Sequence, residues 1–428
     1  MPRRNLLVIF TIAVVSTACY LRADHNRYGR YLGQALDTID RWALEPVPQQ
    51  QLFDAAMQGM VGKLDEYSAY ISAEDATGFE EELDQQFGGI GVEIKREGEP
   101  PQLTVVTPPL PGTPAQRNGI RVHDQIVAID GVATSGMTMR AVIRRMRGQT
   151  GTAVRLEIRR AGADRPLTME VVRETIRVPS VLGDRRNAEG TWTYRLASGP
   201  RIGYVRIVTF GDKTVGELES VLSELQMQPV DGLVIDLRDN AGGLLSSAVG
   251  VCDLFLPEGK TIVSIRRRRG ILDSVETSTG RGICLDLPLA VLVNRYSASA
   301  SEIVAACLQD QQRARIVGER SWGKGTVQNL IPVESGKGIL KLTVASYWRP
   351  SGKNIHRLKG AEEGAWGVAP DEGLEVPMSD DAEQQRREAR ARRDVLVSPD
   401  DWMGSDEAID PVLKRAVHAI RQRIDSTH

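Results

Sequence analysis

Two short runs of apolar residues constrain the fold of this chain more strongly than any other feature of its sequence. Residues 232–237 read Gly-Leu-Val-Ile-Asp-Leu, and residues 289–293 read Leu-Ala-Val-Leu-Val, with almost no alternation between polar and apolar positions. Strands that are covered on both faces have this pattern, whereas a strand with one face in water alternates. The two runs therefore predict buried parallel strands.

Strand and helix patterns alternate around these two runs. Ile202–Val208 has the pattern of a strand, and Val215–Gln226 and Glu302–Gln309 have the periodicity of helices. Parallel strands that are joined by helices form α/β folds. We therefore expect a multidomain α/β chain whose core, residues 175–378, is a doubly wound α/β sheet.

Residues 87–174 predict a small β-rich domain that precedes that core or is inserted into it. Asp130-Gly131 is a strong turn signal, and Met139–Met146 has the pattern of a short amphipathic helix. The remaining strand patterns lie at Leu103–Val106, Ile126–Ile129, Val154–Ile158 and Leu167–Val172. A segment of this size is typical of a compact module.

Residues 1–26 have the pattern of an export signal. Arg3 and Arg4 precede an apolar run from Leu6 to Ala18, as in the charged and apolar regions of a signal peptide. The run is short for a membrane-spanning helix, which needs about 20 apolar residues. We therefore expect an exported protein, in the periplasm or at the extracytoplasmic face of a membrane. Lipidation at Cys19 and retention of the segment as a membrane anchor stay open.

Helical patterns lie on both sides of the two predicted domains. In residues 27–86, apolar residues recur every three or four positions, with a break at Pro46 and Pro48. Residues 379–428 are highly charged and mostly helical in pattern. We interpret this tail as a surface-packed helix or a contact for a partner.

Charge and metal-ligand content exclude several classes of function. The chain has 54 basic and 56 acidic side chains, a formal net charge of −2, whereas proteins that bind nucleic acid usually have a strongly basic face. The five histidines and four cysteines form no HExxH or CxxC arrangement. We expect no nucleic acid partner, no metal and no cofactor.

Three segments carry residues that are suited to catalysis, namely Asp236–Gly243, Asn294–Glu302 and Gly318–Gln328. The first two follow the predicted buried strands, and ligand sites of open α/β sheets form beyond the carboxyl ends of strands. Ser299 stands at the start of a predicted helix, where free main-chain N–H groups and the helix dipole favour developing negative charge.

Ser299 and Lys324 are the predicted nucleophile and base. No histidine lies near these segments in the sequence, and Lys324 lies between two glycines. A lysine in a desolvated pocket loses its proton more readily because burial disfavours the charged form. It can then take the proton of a serine hydroxyl. Gln328 is predicted to orient the lysine amine.

The predicted oxyanion hole combines the main-chain N–H of Ala300 with one N–H from the Gly242-Gly243 turn. Glycine suits this role because it lets the backbone approach a substrate closely. A phosphate-binding loop is disfavoured, since Gly325 follows Lys324 where such a loop requires Ser or Thr. The GxSxG elbow of α/β-hydrolases is not present around the predicted nucleophile.

The β-rich segment resembles a PDZ domain. The matching residues, in the order of that family, are Gly89-Ile90-Gly91-Val92, Gly112-Thr113-Pro114-Ala115, Gly119-Ile120 and Asp124–Gly131. Successive N–H groups of a glycine-rich turn can bind a terminal carboxylate, and the adjacent strand edge can add a peptide as a further strand. The resemblance implies that Gly89, Ile90, Gly91 and Val92 bind the end of a peptide.

The segments with Ser299 and Lys324 are similar to the signature of C-terminal processing, or tail-specific, proteases. In that family the middle serine of a SASAS run is the nucleophile, which selects Ser299, and the lysine follows 25 positions later, as Lys324 does. Gln328 matches the supporting glutamine. Further matching segments are Leu64–Tyr70, with Glu66 where proline is common, Arg349–Lys353 and Gly367–Asp371.

The resemblance implies a serine endopeptidase that cleaves exported proteins near their C-termini, on a ClpP/crotonase-like sheet, with the PDZ domain recognising the substrate tail. Relatives often assemble through helical end segments, which suggests a homodimer. The alternative is a scaffold that captures C-terminal peptides without cutting them. A further hypothesis is that Arg147 couples the PDZ domain to the core by a charge contact.

Overall fold

The computed structural model describes residues 5, 10–17, 27–187, 190–196, 201–333, 338–358, 364–395 and 410–425. Of the predicted signal segment, this range includes only Asn5 and residues 10–17, which are helical, so Cys19 lies outside it. Within the described ranges, no helix has the length and apolar character that crossing a membrane requires.

The chain divides into two compact units, of which the smaller comprises residues 1–73 and 330–342. Its elements are α1 (Arg27–Trp42), α2 (Gln49–Val61) and β1 (Ala69–Ser72). β1 pairs antiparallel with Gly338–Lys341. The prediction of a helical segment at residues 27–86 is wrong at β1. The helical pattern did not indicate this strand because it has only four residues and its partner is far away along the chain.

The larger unit, residues 74–329 and 343–428, contains the β-rich domain. Its elements are α3 (Ala73–Leu83), β2 (Gln86–Gly89), β3 (Ile94–Glu97), β4 (Gln102–Val105), α4 (Pro114–Arg117), β5 (Gln125–Ile129), β6 (Val132–Ala133), α5 (Met139–Met146), β7 (Ala153–Arg159), β8 (Leu167–Val172) and β9 (Glu174–Arg177). Strands β3, β4, β5, β7 and β8 form one sheet in that order, with β6 paired to β5. The predicted helix and strands are confirmed, and β2 pairs with β9 so that the two ends of the domain meet.

The core of the larger unit follows the β-rich domain. The elements after that domain are β10 (Val181–Leu182), β11 (Arg185–Arg186), β12 (Trp192–Thr193), β13 (Ile202–Ile207), α6 (Thr214–Met227), β14 (Gly232–Asp236), α7 (Leu245–Asp253), β15 (Thr261–Arg267), β16 (Leu272–Thr277), β17 (Leu289–Val293), α8 (Ala300–Asp310), β18 (Arg315–Gly318), β19 (Thr326–Pro332), β20 (Gly338–Trp348), α9 (Asp380–Val395) and α10 (Pro411–Asp425). The end of β19 and the start of β20 belong to the smaller unit. The central sheet has the order β10-β13-β14-β17-β18. Its last four strands are parallel, as the two apolar runs predict.

The two faces of the central sheet are covered by different parts of the chain. Val205, Ile235 and Val291 belong to an apolar cluster that also contains residues of α6, α7 and α8. Val234 and Leu292 belong to a second cluster, which contains the buried face of α10. All crossover helices thus lie on one face, and the strand order follows the chain order without reversal. The doubly wound arrangement is therefore wrong.

One helix of the tail, α10, packs one face onto the central sheet and exposes the other, in agreement with the expectation of a surface-packed helix. In α10, the residues Val412, Ala416, Ala419 and Ile420 are buried and cover the second face of the central sheet. Their spacing is that of one helix face. The arginines and lysine between them conceal this apolar stripe in the overall composition.

Candidate active site

Three loops meet at one edge of the central sheet because each follows the carboxyl end of a parallel strand. β14 ends at Asp236, β17 at Val293 and β18 at Gly318, and these strands are neighbours. We refer to the segments that follow them as the glycine turn (residues 239–243), the serine loop (294–299) and the lysine loop (319–324). The sequence predicted this position for the first two segments, and the structure adds the third.

Hydrogen bonding distinguishes Ser299 from the other two serines of the SASAS run. The Ser297 hydroxyl donates to the Leu237 carbonyl (2.8 Å), and the Ser301 hydroxyl donates to the Asn240 carbonyl (2.9 Å). Both flanking serines are fully buried and attach the serine loop to the segment after β14. Their hydroxyls therefore have structural roles.

Ser299 lies at the turn between the serine loop and α8, in a strained backbone conformation. Its φ is 57° and its ψ is −114°, a region that residues with a β-carbon avoid. Such strain is stored preferentially at functional sites. A sharp strand–turn–helix connection also presents the nucleophile of α/β-hydrolases, and here it occurs without their sequence motif.

The glycine turn lies directly against Ser299. A β-carbon on Gly242 would be 2.7 Å from the β-carbon of Ser299 and 3.0 Å from the main-chain nitrogen of Ala300, so only glycine permits this approach. In this conformation the N–H of Gly242 donates to Asn240 Oδ1 (2.8 Å). Gly243 and Ala300 are therefore the better donors among the three predicted oxyanion-hole residues.

One buried carboxylate, that of Glu302, joins the serine and lysine loops. Its Oε2 atom accepts the main-chain N–H of Ser299 (2.8 Å) and that of Lys324 (2.8 Å). Its Oε1 atom accepts the Ser321 hydroxyl (2.5 Å) and the N–H of Gly323 (2.6 Å). Because two nitrogens share Oε2, the backbones of the predicted nucleophile and base are held close together.

Two opposing effects act on the ionisation of Glu302. Burial raises the pKa of this carboxyl group above its usual value, and the hydrogen bonds from Ser321, Gly323, Ser299 and Lys324 reverse that rise only in part. All four of these contacts are donated to the carboxyl group, which is the arrangement that an ionised carboxylate requires. We therefore interpret Glu302 as ionised.

Sequence reasoning did not assign a role to Glu302. The signal was present, because Ser299 and Glu302 have the Ser-x-x-Glu spacing of a capping box at the start of a helix. In the structure, Glu302 accepts the main-chain N–H of Ser299, as in that motif. The contacts to the lysine loop depend on residues far along the chain, and the spacing alone does not predict them.

Lys324 is the last residue of the lysine loop, and Gln328 lies in β19, which follows that loop. Lys324 is half-buried, and its main chain is fixed by Glu302. The Nε2 atom of Gln328 donates to the hydroxyls of Thr326 (2.8 Å) and Thr343 (3.3 Å). The predicted role of Gln328, orientation of the lysine amine, stays a prediction.

A buried charge cluster lies directly before the glycine turn. Arg238 donates to Asp236 through Nε (2.9 Å) and Nη2 (2.6 Å). It also donates to both carboxylate oxygens of Asp410, each at 2.8 Å, and the Tyr204 hydroxyl donates to Asp236 (2.6 Å). Burial alone would raise the pKa of each carboxyl group, but Arg238 reverses this effect and holds both pKa values below their usual range. The cluster joins α10 to β14.

The predicted peptide-binding residues lie where β2 ends. Gly89 is the last residue of β2, Ile90 is buried, and Val92 packs against the apolar cluster of the β-rich domain. Gly91 has a φ of 86°, and a β-carbon there would be 2.5 Å from the side chain of Thr113. The turn thus requires glycine, and its peptide contacts stay a prediction.

Arg147 has two contacts in the larger unit. Its Nη1 atom donates to Glu81 (3.0 Å), and its guanidinium group lies 4.0 Å from the centre of the Phe87 ring. Both partners precede the β-rich sheet in the chain. The hypothesis that Arg147 transmits a signal to the core is not tested by these contacts.

A strained serine at the start of a helix, beside a glycine turn at the edge of a parallel sheet, is the arrangement of a serine hydrolase. Comparison with known proteins shows which family of hydrolases this chain is similar to. The family model of peptidase family S41 matches residues 201–373, and that of PDZ domains matches residues 105–160.

Two curated relatives match this chain over most of their own length. The carboxy-terminal-processing protease of Bartonella bacilliformis is 37% identical over 86% of this chain and 80% of its own. The carboxyl-terminal-processing protease of Synechocystis sp. is 35% identical over 82% of this chain and 79% of its own. Among solved structures, the photosystem II D1 C-terminal processing protease is 27% identical, with a TM-score of 0.44 over 85% of this chain and 98% of its own. The chain belongs to peptidase family S41 and is a serine-type peptidase with a PDZ domain.

Proposed function

We propose that this protein is an endopeptidase that cleaves protein substrates near their C-termini, with Ser299 as nucleophile and Lys324 as general base. The observation that carries the proposal is the single carboxylate of Glu302, whose Oε2 atom accepts both the Ser299 and the Lys324 main-chain N–H groups at 2.8 Å. A nucleophile and its base must be held in one geometry, and this contact fixes both backbones.

The residues act in the order that acyl transfer requires. Neutral Lys324 takes the proton of the Ser299 hydroxyl as its oxygen attacks the substrate carbonyl carbon. The N–H groups of Gly243 and Ala300 stabilise the negative charge on the carbonyl oxygen. The lysine then gives the proton to the leaving amine, and water hydrolyses the acyl-enzyme by the same steps. Gln328 orients the lysine amine.

The PDZ domain selects the substrate by its tail. In this proposal, the turn at Gly89, Ile90, Gly91 and Val92 binds the terminal carboxylate through main-chain N–H groups, and the peptide adds to the neighbouring strand edge. Support comes from the curated relatives, whose names describe processing at the carboxy terminus.

The proposal also includes the cellular location of this activity. The charged and apolar N-terminal segment supports export to the periplasm or the extracytoplasmic face of a membrane, with membrane association through that segment. A homodimer and a ClpP/crotonase-like sheet remain predictions from the family resemblance.

The experiment compares the purified protein with its Ser299→Ala and Lys324→Ala variants. Each is incubated with an unfolded protein that has an apolar C-terminal tail, and fragments are identified by mass spectrometry. We expect fragments near the C-terminus from the unmodified protein and from the control variant Lys414→Ala, at an exposed helical lysine, and none from the Ser299→Ala and Lys324→Ala variants. Fragments from Ser299→Ala would rule out the nucleophile, and unchanged cleavage by a folded Lys324→Ala would rule out the base.

The same experiment tests the alternative. Tail binding by the unmodified protein without any fragment would favour a PDZ scaffold that captures C-terminal peptides without cutting them.

A further inference from the structure

We propose that helix α9 is a positioning element of the active site, in which Arg386 and Arg387 hold Asp239 and thereby fix the glycine turn against Ser299. This inference rests on the proposed function, since it concerns the geometry of the same site. It gives the charged C-terminal tail a role in catalysis.

Asp239 is the point at which α9 holds the glycine turn. Arg387 donates to Asp239 Oδ1 through Nε (3.1 Å) and Nη2 (2.6 Å), and Arg386 donates to Oδ2. Asp239 has a φ of 60°, in the left-handed region that Asp and Asn adopt more readily than other residues with a β-carbon. The glycine turn therefore begins at a residue that two arginines hold by its side chain.

The serine loop is held by the same helix. Asn294, its first residue, donates from Nδ2 to Glu383 of α9 (2.8 Å) and to Asp239 (3.1 Å). Its Oδ1 atom accepts the main-chain N–H of Asp239 (3.0 Å). The guanidinium group of Arg387 also lies 4.3 Å from the centre of the Tyr296 ring. One face of α9 thus contacts both the glycine turn and the serine loop.

These contacts reach the reacting groups through two short connections. Within the glycine turn, the Asn240 carbonyl accepts the N–H of Ala298 (3.0 Å), next to Ser299. At the other end of the turn, Gly242 lies against the Ser299 side chain. A shift of Asp239 would therefore move the turn relative to the nucleophile, and a small misplacement of such groups lowers the rate strongly.

Two arginines of α9 allow an effect of substitution on the position of the glycine turn to be distinguished from an effect on the stability of the fold. The Arg387 side chain is 38% exposed and contacts the glycine turn. The Arg393 side chain is only 11% exposed and pairs with Asp184, through contacts of 2.8 and 2.9 Å, away from the turn. Removing the buried pair is expected to destabilise the fold more, whereas removing the exposed pair is expected to affect catalysis more.

The experiment measures cleavage kinetics and thermal unfolding of Arg387→Gln and Arg393→Gln in the full-length protein. We expect Arg387→Gln to lower kcat about tenfold with KM within about twofold, since the oxyanion hole acts in the transition state. Arg393→Gln is expected to lower the unfolding temperature more and to keep kcat within about twofold. If both variants lose kcat in proportion to their loss of stability, α9 has only a structural role and the proposal is overturned.

A double-mutant cycle tests the link through Asp239. Asn tolerates a positive φ, so Asp239→Asn removes the charge without changing the demands on the backbone. We expect the double variant Asp239→Asn, Arg387→Gln to lose no more kcat than Asp239→Asn alone, because the two residues act through one contact. Additive losses would contradict this.

A readout that does not depend on activity separates this inference from the proposed function. Hydrogen exchange of main-chain amides in residues 239–243 and 294–299 is expected to be faster in Arg387→Gln and unchanged in Arg393→Gln. Unchanged exchange in both variants overturns the positioning role, even if the protein cleaves no substrate. Cleavage that persists in Ser299→Ala would instead contradict the proposed function.

Discussion

The PDZ domain and the loops of the candidate active site differ in the contacts that hold their backbone. In the PDZ domain, the turn after β2 is fixed by main-chain hydrogen bonds, from Ala115 to the Ile90 carbonyl (2.9 Å) and from Leu110 to the Gly91 carbonyl (3.1 Å). In the core, the glycine turn and the serine and lysine loops also have main-chain hydrogen bonds, but ionised side chains hold them in addition, and of these Glu302 is fully buried.

The difference corresponds to what each region has to do in the proposed function. A turn that binds a peptide end can adjust to its ligand, whereas groups that stabilise a transition state must be in place before the reaction. Substitutions that loosen the core loops should therefore lower kcat, and substitutions in the PDZ turn should raise KM. Of the three predictions that follow, in order of decreasing effect, the first and the last test this separation, and the second tests how much an ionised side chain stabilises the core.

We expect the largest effect from Glu302→Gln. An amide has nearly the same shape as the carboxylate, but its NH₂ group faces two of the four donors, so that buried N–H or O–H groups lose their acceptor. The expected result is a fall in kcat of at least about 100-fold in steady-state kinetics.

The matched control is Glu219→Gln, at a glutamate of α6 that pairs with the exposed Arg281. It should keep kcat within about twofold. A folded Glu302→Gln variant with the same kcat as the control would show that the shared carboxylate does not position Ser299 and Lys324.

The contacts of Glu302 also show how far sequence reasoning reaches. The apolar runs at residues 232–237 and 289–293 predicted buried parallel strands, and in the structure these strands pair with each other, so that the loops after them meet. The prediction depends on local pattern. The contacts of Glu302 with Ser321 and Gly323, and those of α9 with Asp239, join residues far apart along the chain, and nothing in either segment alone indicates its partner.

The doubly wound prediction failed for a related reason. Alternating strands and helices predict parallel pairing, but the face on which each crossover helix lies depends on the strand order, which local periodicity does not encode. In the tail, charged residues dominate the composition, so the sequence did not show that four small or apolar residues of α10 would cover a face of the central sheet.

A second, smaller effect is expected from Asp410→Asn, which weakens the buried cluster at Arg238. We expect a loss of about 3 kcal/mol in the free energy of unfolding at neutral pH, since removal of one partner leaves a buried charge less compensated. The pKa of Asp410 is lowered in the folded state because Arg238 outweighs the effect of burial. Its contribution is therefore present above the unfolded pKa of about 3.9 and is lost as the pH falls through the folded value.

Urea unfolding of both proteins between about pH 7 and pH 3 measures this dependence. The difference in free energy between the unmodified protein and Asp410→Asn should be constant near neutral pH and decrease at the acid end. A difference that stays the same down to the lowest pH would mean that the lost stability does not come from the charge of Asp410.

The smallest effect is expected in the PDZ turn, from Gly91→Ala. Gly91 has a φ of 86°, and the added β-carbon would be 2.5 Å from Thr113, so the turn that is proposed to bind the carboxylate must shift. We expect KM for a substrate with a free C-terminal tail to rise about fivefold at unchanged kcat, since only ground-state binding is weakened. Gly112→Ala is the control, because Gly112 also has a positive φ, 74°, but its β-carbon would have no neighbour within 4 Å. A rise in KM that is equal in both variants would indicate general strain in the domain, whereas a fall in kcat for Gly91→Ala alone would show that the PDZ turn also acts on the catalytic step.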